Sequence, residues 1–226
     1  MSSLLTLEPV IFDIETVPRQ LPASIVEHRM HNIRAPKSWK DKTKIKAYKD
    51  GKKRELRVMD ALNPDYSKIV ALGYTVPQDD ATVAEIYANE EAEKIGIEKF
   101  FKVVLDNDSY VTSGHHAEVG GFNSYGFDIP IITQRALYLN IQTPITLLGW
   151  DYDVALAMTC WNRRVQFKSL GEYLQLFGFE RNKISGSQVP DLYAKKQYDK
   201  ITTHVMEDVV NTRQLWRILK RCQRIK

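Results

Sequence analysis

Two acidic residues interrupt an apolar stretch, Val10–Thr16, of the 226-residue chain. The stretch is short and runs into Val17-Pro18, so it predicts a buried β-strand that stops at a turn. Asp13 and Glu15 are two positions apart, which places both side chains on one face of such a strand, roughly 7 Å apart. Because desolvating an unpaired carboxylate is costly, two acids on one face of a core strand require a cation. The alternative is a strand end at the sheet edge, with both acids in water.

Two further acids stand where a side chain can be aimed into a site. Asp128 directly precedes Ile129-Pro130, and proline suits the first turn of a helix because its missing N–H costs nothing there. Asp128 is therefore either a site residue or simply the N-cap of that helix. Asp208 lies in a long predicted helix, Ile201–Arg224, four residues after His204 and so on the same side of the helix.

Convergence of these four carboxylates would create a metal site. At about 4 Å and an effective dielectric constant of about 20, each like-charge pair costs on the order of 4 kcal/mol. Such a cluster is stable only with bound cations, and an all-oxygen site selects Mg²⁺ or Mn²⁺ over zinc. Two such ions roughly 4 Å apart catalyse in-line phosphodiester hydrolysis, because one deprotonates the attacking water and the other stabilises the leaving oxygen.

The elements around these residues predict a sheet covered by helices. Two more strands follow the first, Lys68–Val76 and Thr82–Tyr87, with Asp79-Asp80 as the hairpin turn, so the first three strands form a meander. A strand pattern returns within Tyr110–Phe122. Helical patterns cover Glu90–Leu105, 129–137, Ser169–Gly178 and Ile201–Arg224.

Length and composition favour one globular domain. Hydrophobic residues make up 43% of the chain and aromatic residues 10%, enough for a sizeable core, and the net charge of +4 is weak evidence for a polyanionic partner. Cys160 and Cys222 match no metal or redox spacing and are expected to be reduced thiols. There is no signal-peptide pattern and no apolar run of about 18 residues, so we expect a cytoplasmic protein that does not span a membrane.

Basic charge is concentrated in residues 34–57, where eleven Lys or Arg residues accompany three acids. This segment has no apolar stripe, so we expect a basic helical insertion, spanning about residues 28–60, on the surface of the domain. Two interpretations remain open. The segment is either a solvated face or an arm that contacts phosphates, with Trp39 as a base-stacking residue.

Three sequence motifs resemble those of a known enzyme superfamily. Phe12–Thr16 looks like the first motif of the DEDD 3′–5′ exonucleases, the DnaQ-like branch of the RNase H-like fold. Asn123–Asp128 matches their second motif, Asn-x-x-x-Phe-Asp, and His204–Asp208 stands where the third belongs. Within that superfamily the chain is most similar to the predicted 3′–5′ exonucleases related to the proofreading domain of family B polymerases. Further residues that resemble this subgroup are Ala61–Pro64, Lys168–Leu170, Lys183, Gly186 and Asp208–Thr212.

The resemblance implies an α/β fold, RNase H-like, in which a mixed central sheet is flanked by helices within a single domain. It also implies a two-ion site for Mg²⁺ or Mn²⁺, whose ligands are Asp13, Glu15, Asp128 and Asp208. The substrate-binding residues that it implies are Ile14, Thr16, Asn123 and Phe127, of which the last two help to hold the 3′-terminal nucleotide.

One residue departs from the pattern of the family. The family B-like branch has tyrosine four residues before the last aspartate, and the sister branch has histidine five residues before it, whereas this chain has His204 at the tyrosine position. We predict that His204 is the general base or orients the attacking water, because a reference pKa near 6.5 leaves imidazole neutral at about pH 7. The alternative is that His204 only supports a metal ligand, with Tyr198 or no side chain as the base.

The leading functional prediction is a metal-dependent 3′–5′ exonuclease that acts on the 3′ end of single-stranded DNA. We expect no polymerase or helicase domain in the remaining residues, so replication or repair proteins would be separate partners. One alternative is a 3′–5′ exoribonuclease, because recognition of the 2′-OH leaves no clear mark in a sequence. The other is a nucleic-acid-binding module with weak or no catalysis.

Overall fold

A mixed sheet forms the framework of the protein. The computed structural model describes residues 8–109, 119–144, 147, 152–162, 164–180 and 183–222. In these ranges five strands pair into one sheet: β1 (Val10–Pro18), β2 (Ser67–Val76), β3 (Ala81–Ile86), β4 (Val119–Gly121) and β5 (Tyr152–Asp153). The order is β3-β2-β1-β4-β5, with β1 in the centre, antiparallel to β2 and parallel to β4.

Eight α-helices accompany the sheet in the described ranges. They are α1 (Ala23–His31), α2 (Lys42–Ala61), α3 (Glu90–Ser109), α4 (Asp128–Tyr138), α5 (Val154–Met158), α6 (Leu170–Leu176), α7 (Val189–Ala194) and α8 (Tyr198–Arg221). Apolar residues of α3 and α4 pack on one face of the sheet and those of α8 on the other. The predicted sheet flanked by helices is confirmed, including the meander of β1, β2 and β3. Most of the strand pattern predicted within 110–122 lies outside the described residues.

Side-chain alternation along β1 decides which residues face α8. Phe12 and Ile14 pack with α3 and α4, whereas Ile11 packs on the opposite face with α8. Asp13 and Glu15 have the same parity as Ile11, so they also face α8. Only after Glu15 does a β-bulge shift the register between β1 and β2.

The close approach of α8 to the sheet depends on a glycine in β2. A Cβ atom at Gly73 would lie 2.9 Å from Cγ2 of Val209 and 3.1 Å from the carbonyl oxygen of Val205. Any side chain at position 73 would therefore push α8 away from the sheet. This contact fixes the height of α8 above the acids of β1.

A buried ion pair connects the elements on the opposite face. Arg135 of α4 is fully buried, and its Nε and Nη2 donate to the two carboxylate oxygens of Glu93 in α3, each at 2.7 Å. Glu93 also accepts a hydrogen bond from the N–H of Ile69 in β2, at 2.8 Å. Glu90 accepts a further hydrogen bond from Arg135, at 3.2 Å. One guanidinium group therefore ties α4 to α3, and Glu93 ties both to the sheet.

The basic segment is helical from Lys42 onwards, as predicted for its charged stretch, whereas residues 32–41 lie between α1 and α2. Asp41 caps α2 by accepting hydrogen bonds from the N–H groups of Thr43 and Lys44, at 2.8 and 3.2 Å. Within α2 only Ala61, the last residue, is buried, and its carbonyl oxygen accepts a hydrogen bond of 2.5 Å from the hydroxyl of Thr16 in β1. That the segment is an insertion, and that the chain forms a single domain, stay predictions.

Two further features concern thiols and the membrane. Cys160 and Cys222 are exposed free cysteines. Within the described ranges, every helix is too short or too polar to cross a bilayer.

Candidate active site

The first two site residues come from β1. Glu15 is 8% exposed, and its Oε1 lies 2.9 Å from Nε2 of His204 in α8. A Cβ atom on Gly186, in the turn before α7, would lie 3.6 Å from Oε2 of the same carboxylate. Glu15 is therefore enclosed between α8 and the 186–188 turn, while Asp13, on the same face of β1, is only partly buried.

Helix α8 supplies His204 and Asp208, one turn apart. Nε2 of His204 lies 3.7 Å from Oδ2 of Asp208 as well as close to Glu15. The potential ligand atoms of Glu15, His204 and Asp208 all lie within 4.8 Å of one another, the spacing of a group that can hold a metal ion. His204 is 3% exposed, and among the described residues neither its Nδ1 nor its Nε2 has a partner in hydrogen-bond geometry.

Asp128 joins the site from the start of α4. It is 2% exposed, and its Oδ1 accepts a hydrogen bond of 3.1 Å from the N–H of Ile14, the residue between Asp13 and Glu15. Strand β4 pairs with β1 only at Val10 and Ile11. The N–H of Ile14 lies beyond the end of β4, and the carboxylate of Asp128 accepts its hydrogen bond there. The N-cap alternative for Asp128 is wrong: it is the first residue of α4, Phe127 precedes it as N-cap, and no side chain caps the helix.

The electrostatics of the site are dominated by negative charge. Burial raises the pKa of Asp13 well above its usual range, and the neighbouring carboxylates of Asp128, Asp208 and Glu15 raise it further. Burial also raises the pKa of Asp128 to about 8, against hydrogen bonds from the N–H of Ile14 and from its own N–H. In the described part of the chain, no lysine or arginine forms an ion pair with Asp13, Glu15 or Asp128.

The environment of His204 differs from the expectation based on its reference pKa. Burial alone would lower the pKa of His204, but the close carboxylate of Glu15, followed by the charges of Asp208 and Glu207, outweighs burial and raises it. With only the charges of the chain around it, His204 therefore favours the protonated form more than a free imidazole does. The four-residue spacing between His204 and Asp208 predicted that these two are neighbours, but the sequence did not predict that Glu15 lies beside His204.

The residues expected to bind substrate lie in two different settings. Asn123 has a left-handed backbone conformation, with φ of +60°, at the start of the turn that leads into Asp128, and Phe127 is partly buried against the core. Ile14 packs its side chain into the core, and the hydroxyl of Thr16 is bonded to α2. Asn123 and Phe127 thus belong to the turn that precedes Asp128, whereas Ile14 contributes a backbone N–H to Asp128.

Asp153 is a site residue that sequence reasoning did not identify. Its Oδ1 and Oδ2 accept hydrogen bonds from the N–H groups of Asn123 and Tyr125, each at 3.1 Å, and its Oδ1 also caps α5 through the N–H of Leu156 at 3.1 Å. Burial raises its pKa in spite of these bonds. The carboxylate of Asp153 thus fixes the turn that carries Asp128. An acid directly before the apolar start of a helix was the available signal, since it is typical of an N-cap.

Sequence comparison supports the resemblance seen in the motifs. Residues 59–164 match the model of a family described as predicted 3′–5′ exonucleases related to the exonuclease domain of PolB. The matched range includes Asn123–Asp128 and Asp153, whereas β1 and α8 lie outside it. The predicted family resemblance is confirmed. No protein of curated function matches the chain.

Structural comparison supports the fold. The chain is similar to the family B DNA polymerase from the hyperthermophilic archaeon Pyrobaculum calidifontis, with a TM-score of 0.54 and 17% sequence identity over 90% of the chain. The chain spans 23% of the length of that polymerase. At this identity the likeness shows the fold alone, and it confirms the predicted RNase H-like α/β fold.

Proposed function

We propose that this protein is a metal-dependent 3′–5′ exonuclease that hydrolyses the phosphodiester bond at the 3′ end of single-stranded DNA. One observation carries the proposal: carboxylates from β1, α4 and α8 converge. Asp128 accepts from the N–H of Ile14 at 3.1 Å, and Glu15 and Asp208 lie 2.9 and 3.7 Å from His204. Burial and, after it, these neighbouring carboxylates raise the pKa of Asp13. His204 lies beside Glu15 and Asp208, and within the described residues no lysine or arginine forms an ion pair with Asp13, Glu15 or Asp128. Buried carboxylates in such excess are stable only when external cations bind to them.

The donor atoms fit divalent ions that prefer oxygen. We assign two ions, Mg²⁺ or Mn²⁺, to the carboxylates of Asp13, Glu15, Asp128 and Asp208. Hard cations such as Mg²⁺ and Mn²⁺ select carboxylate oxygens. When bound, the ions would lower the pKa of the attacking water and neutralise charge on the leaving oxygen.

The other residues of the site would act on water and on the nucleotide. His204 is the group that orients the attacking water or takes its proton, because it lies beside two of the proposed ligands at 2.9 and 3.7 Å. Its neutral form requires that the charge of Glu15 be compensated, so this role depends on a loaded site. Asn123 and Phe127, on either side of the turn before Asp128, hold the 3′-terminal nucleotide.

A labelled-oligonucleotide assay tests the proposal. Single-stranded DNA and RNA with a 5′ label are incubated with Mg²⁺, with Mn²⁺ and with EDTA. We expect a ladder of products shortened from the 3′ end of DNA that requires a divalent ion and is absent with Asp128→Asn. A ladder on RNA alone would support the exoribonuclease alternative. Binding of both nucleic acids without cleavage would contradict the proposal and support a nucleic-acid-binding module.

A further inference from the structure

Basic side chains form one continuous stripe along α2. Lysine or arginine occurs at positions 42, 46, 49, 53 and 57, with spacings of four, three, four and four residues. At 3.6 residues per turn these positions fall within an arc of about 80°, so all five side chains emerge from the same face of the helix. We call Lys42, Lys46, Lys49, Lys53 and Arg57 the basic stripe.

Most of the charge of the stripe is uncompensated. All five side chains are exposed. Lys53 lies 3.8 Å from Asp50, but within the described residues the other four make no ion pair. Asp60, which lies on the same face nearer the end of α2, is instead occupied by Arg29 of α1, at 3.0 and 2.5 Å. The stripe therefore presents a row of positive charge to solvent.

A hydrogen bond connects the helix that carries the stripe to the strand of the proposed active site. The last residue of α2, Ala61, is bonded to Thr16, which directly follows Glu15 in β1. At 1.5 Å per residue, Arg57 lies about 6 Å and Lys42 about 28 Å along the helix axis from that anchor. Near the start of α2, Trp39 packs against the helix. The ring centroids of Trp39 and Tyr48 are 5.5 Å apart in an edge-on arrangement, and the ammonium of Lys44 lies 4.2 Å from the centroid of the Trp39 ring.

We propose that the basic stripe binds the sugar–phosphate backbone of the substrate strand on the 5′ side of the bond that is hydrolysed. This inference rests on the proposed function, because a strand whose 3′ end lies at the carboxylates continues only in the 5′ direction. Nucleic acid carries one phosphate per about 3.4 Å of each duplex strand and fewer per length when extended, so a stripe of about 22 Å matches at most about six phosphates.

The composition of this face argues against a lipid surface. A helix that lies on a membrane needs a broad apolar face beside its basic residues. The apolar residues of α2 next to the stripe, Ile45, Tyr48 and Leu56, are half-buried. Tyr48 and Leu56 line a groove with Arg29 and Ile33, so α2 does not present them to solvent as a broad apolar face. A polyanion with regularly spaced charges is the partner that fits a row of exposed basic side chains.

The test compares two triple variants with the wild-type protein. Lys46→Gln, Lys49→Gln and Arg57→Gln remove three charges from the stripe and keep good helix formers at these positions. Lys94→Gln, Lys99→Gln and Lys102→Gln remove the same charge from α3. Binding of 5′-fluorescein oligothymidylates of about 20 and about 4 nucleotides is measured by anisotropy in EDTA, between about 50 and 200 mM salt.

We expect the stripe variant to bind the long strand roughly 10- to 100-fold more weakly at about 100 mM salt, with a salt slope shallower by about 2, since single strands lose about 0.7 per phosphate contact. The stripe variant should bind the short strand as tightly as the wild type does. The α3 variant should bind both strands as tightly as the wild type does. A long strand with neutral methylphosphonate linkages beyond its fourth nucleotide should be bound equally by both variants. Circular dichroism confirms that the stripe variant is folded.

Several outcomes would overturn the inference. These are an unchanged salt slope for the long strand, equal losses for long and short strands, or binding to anionic phospholipid vesicles with none to the oligonucleotide. If the protein hydrolyses DNA and the stripe variant binds the long strand as tightly as the wild type does, the inference is refuted and the proposed function stands. Stripe-dependent binding without any hydrolysis would refute the exonuclease and leave the phosphate-binding surface.

Discussion

Two buried clusters of charged side chains lie on opposite faces of the sheet. The closed cluster consists of Arg135, Glu93 and Glu90, in which one guanidinium group donates two hydrogen bonds of 2.7 Å to Glu93. The open cluster consists of Asp13, Glu15, Asp128 and Asp208, beside which the chain places His204. In the closed cluster each buried charge has its counter-charge within the chain. In the open cluster burial and like charges raise the pKa of Asp13 instead.

The difference separates a cluster that needs no group from outside the chain from one that needs a cation. A buried charge that is hydrogen-bonded to its counter-ion needs nothing from outside the protein. Carboxylates that repel one another in a partly buried site lower stability unless a cation binds, so folding alone does not explain their presence. The following predictions separate the two clusters by the kind of damage that a single substitution causes.

The largest effect should come from the open cluster and should appear in activity. Asp13→Asn is expected to lower nuclease activity about 10⁴-fold, equivalent to about 5.5 kcal/mol of activation free energy, because a ligand charge is lost. Activity is measured on 5′-labelled single-stranded DNA at saturating Mn²⁺. The control Asp79→Asn, at an exposed position, should retain wild-type activity. Full activity of Asp13→Asn would remove the open cluster from the mechanism.

In the closed cluster the loss should appear in stability. Arg135→Met leaves Glu93 buried and unpaired, so we expect the free energy of unfolding to fall by about 3 to 5 kcal/mol. Urea denaturation measures the change. Lys99→Met, which breaks the exposed pair of Lys99 with Glu85 at 3.1 Å, should cost less than about 1 kcal/mol. A loss of that smaller size for Arg135→Met would mean that the closed cluster does not support the fold.

Divalent ions should stabilise the protein through the open cluster alone. At an ion concentration of about 100 times the dissociation constant, Mg²⁺ or Mn²⁺ is expected to add about 2.7 kcal/mol to the free energy of unfolding. Asp13→Asn should lose this increment and be no less stable than the wild type in EDTA, because one like charge has been removed. Arg135→Met should still gain about 2.7 kcal/mol in its free energy of unfolding when ions bind. Thermal unfolding with and without ions measures all three, and equal stabilisation of Asp13→Asn would contradict the assignment.

Local rules were sufficient to predict the pieces of the open cluster. Alternation in a strand placed Asp13 with Glu15, and the spacing of four residues in a helix placed His204 with Asp208. The pairing of Glu15 with His204 at 2.9 Å was not predictable in this way. It depends on how closely α8 approaches β2 at Gly73, which no local pattern encodes.

Non-local contacts account for most of what the sequence did not reveal. Asp153 bonds to Asn123 and Tyr125, which lie 30 and 28 residues earlier in the chain, so its role appears only once the sheet is assembled. The predicted and observed bounds agree to within a few residues for β1, β2, β3, α3, α4 and α8, because the apolar patterns of these elements are long. Strand β5, with two residues, and α5, with five, are too short to produce such a pattern.

The smallest predicted effect concerns a third, more exposed cluster of charges, at the end of α8. Arg213 and Arg217 donate to Glu8 at 2.7 and 2.8 Å, and although burial opposes them, these bonds hold the pKa of Glu8 below its usual range. Because that pKa is lowered by folding, the stabilisation is present above the unfolded pKa of about 4.3 and is lost as pH falls through the folded value.

Glu8→Gln should therefore lower the free energy of unfolding by about 1 kcal/mol at about pH 7 and have almost no effect near pH 3. Urea denaturation of both proteins at several pH values measures the difference, with Glu91→Gln on the exposed start of α3 as the control. A deficit that does not depend on pH would mean that Glu8 acts through packing rather than through its charge. The deficit should also be unchanged by Mn²⁺, because this cluster, like that of Arg135, already contains its counter-charges.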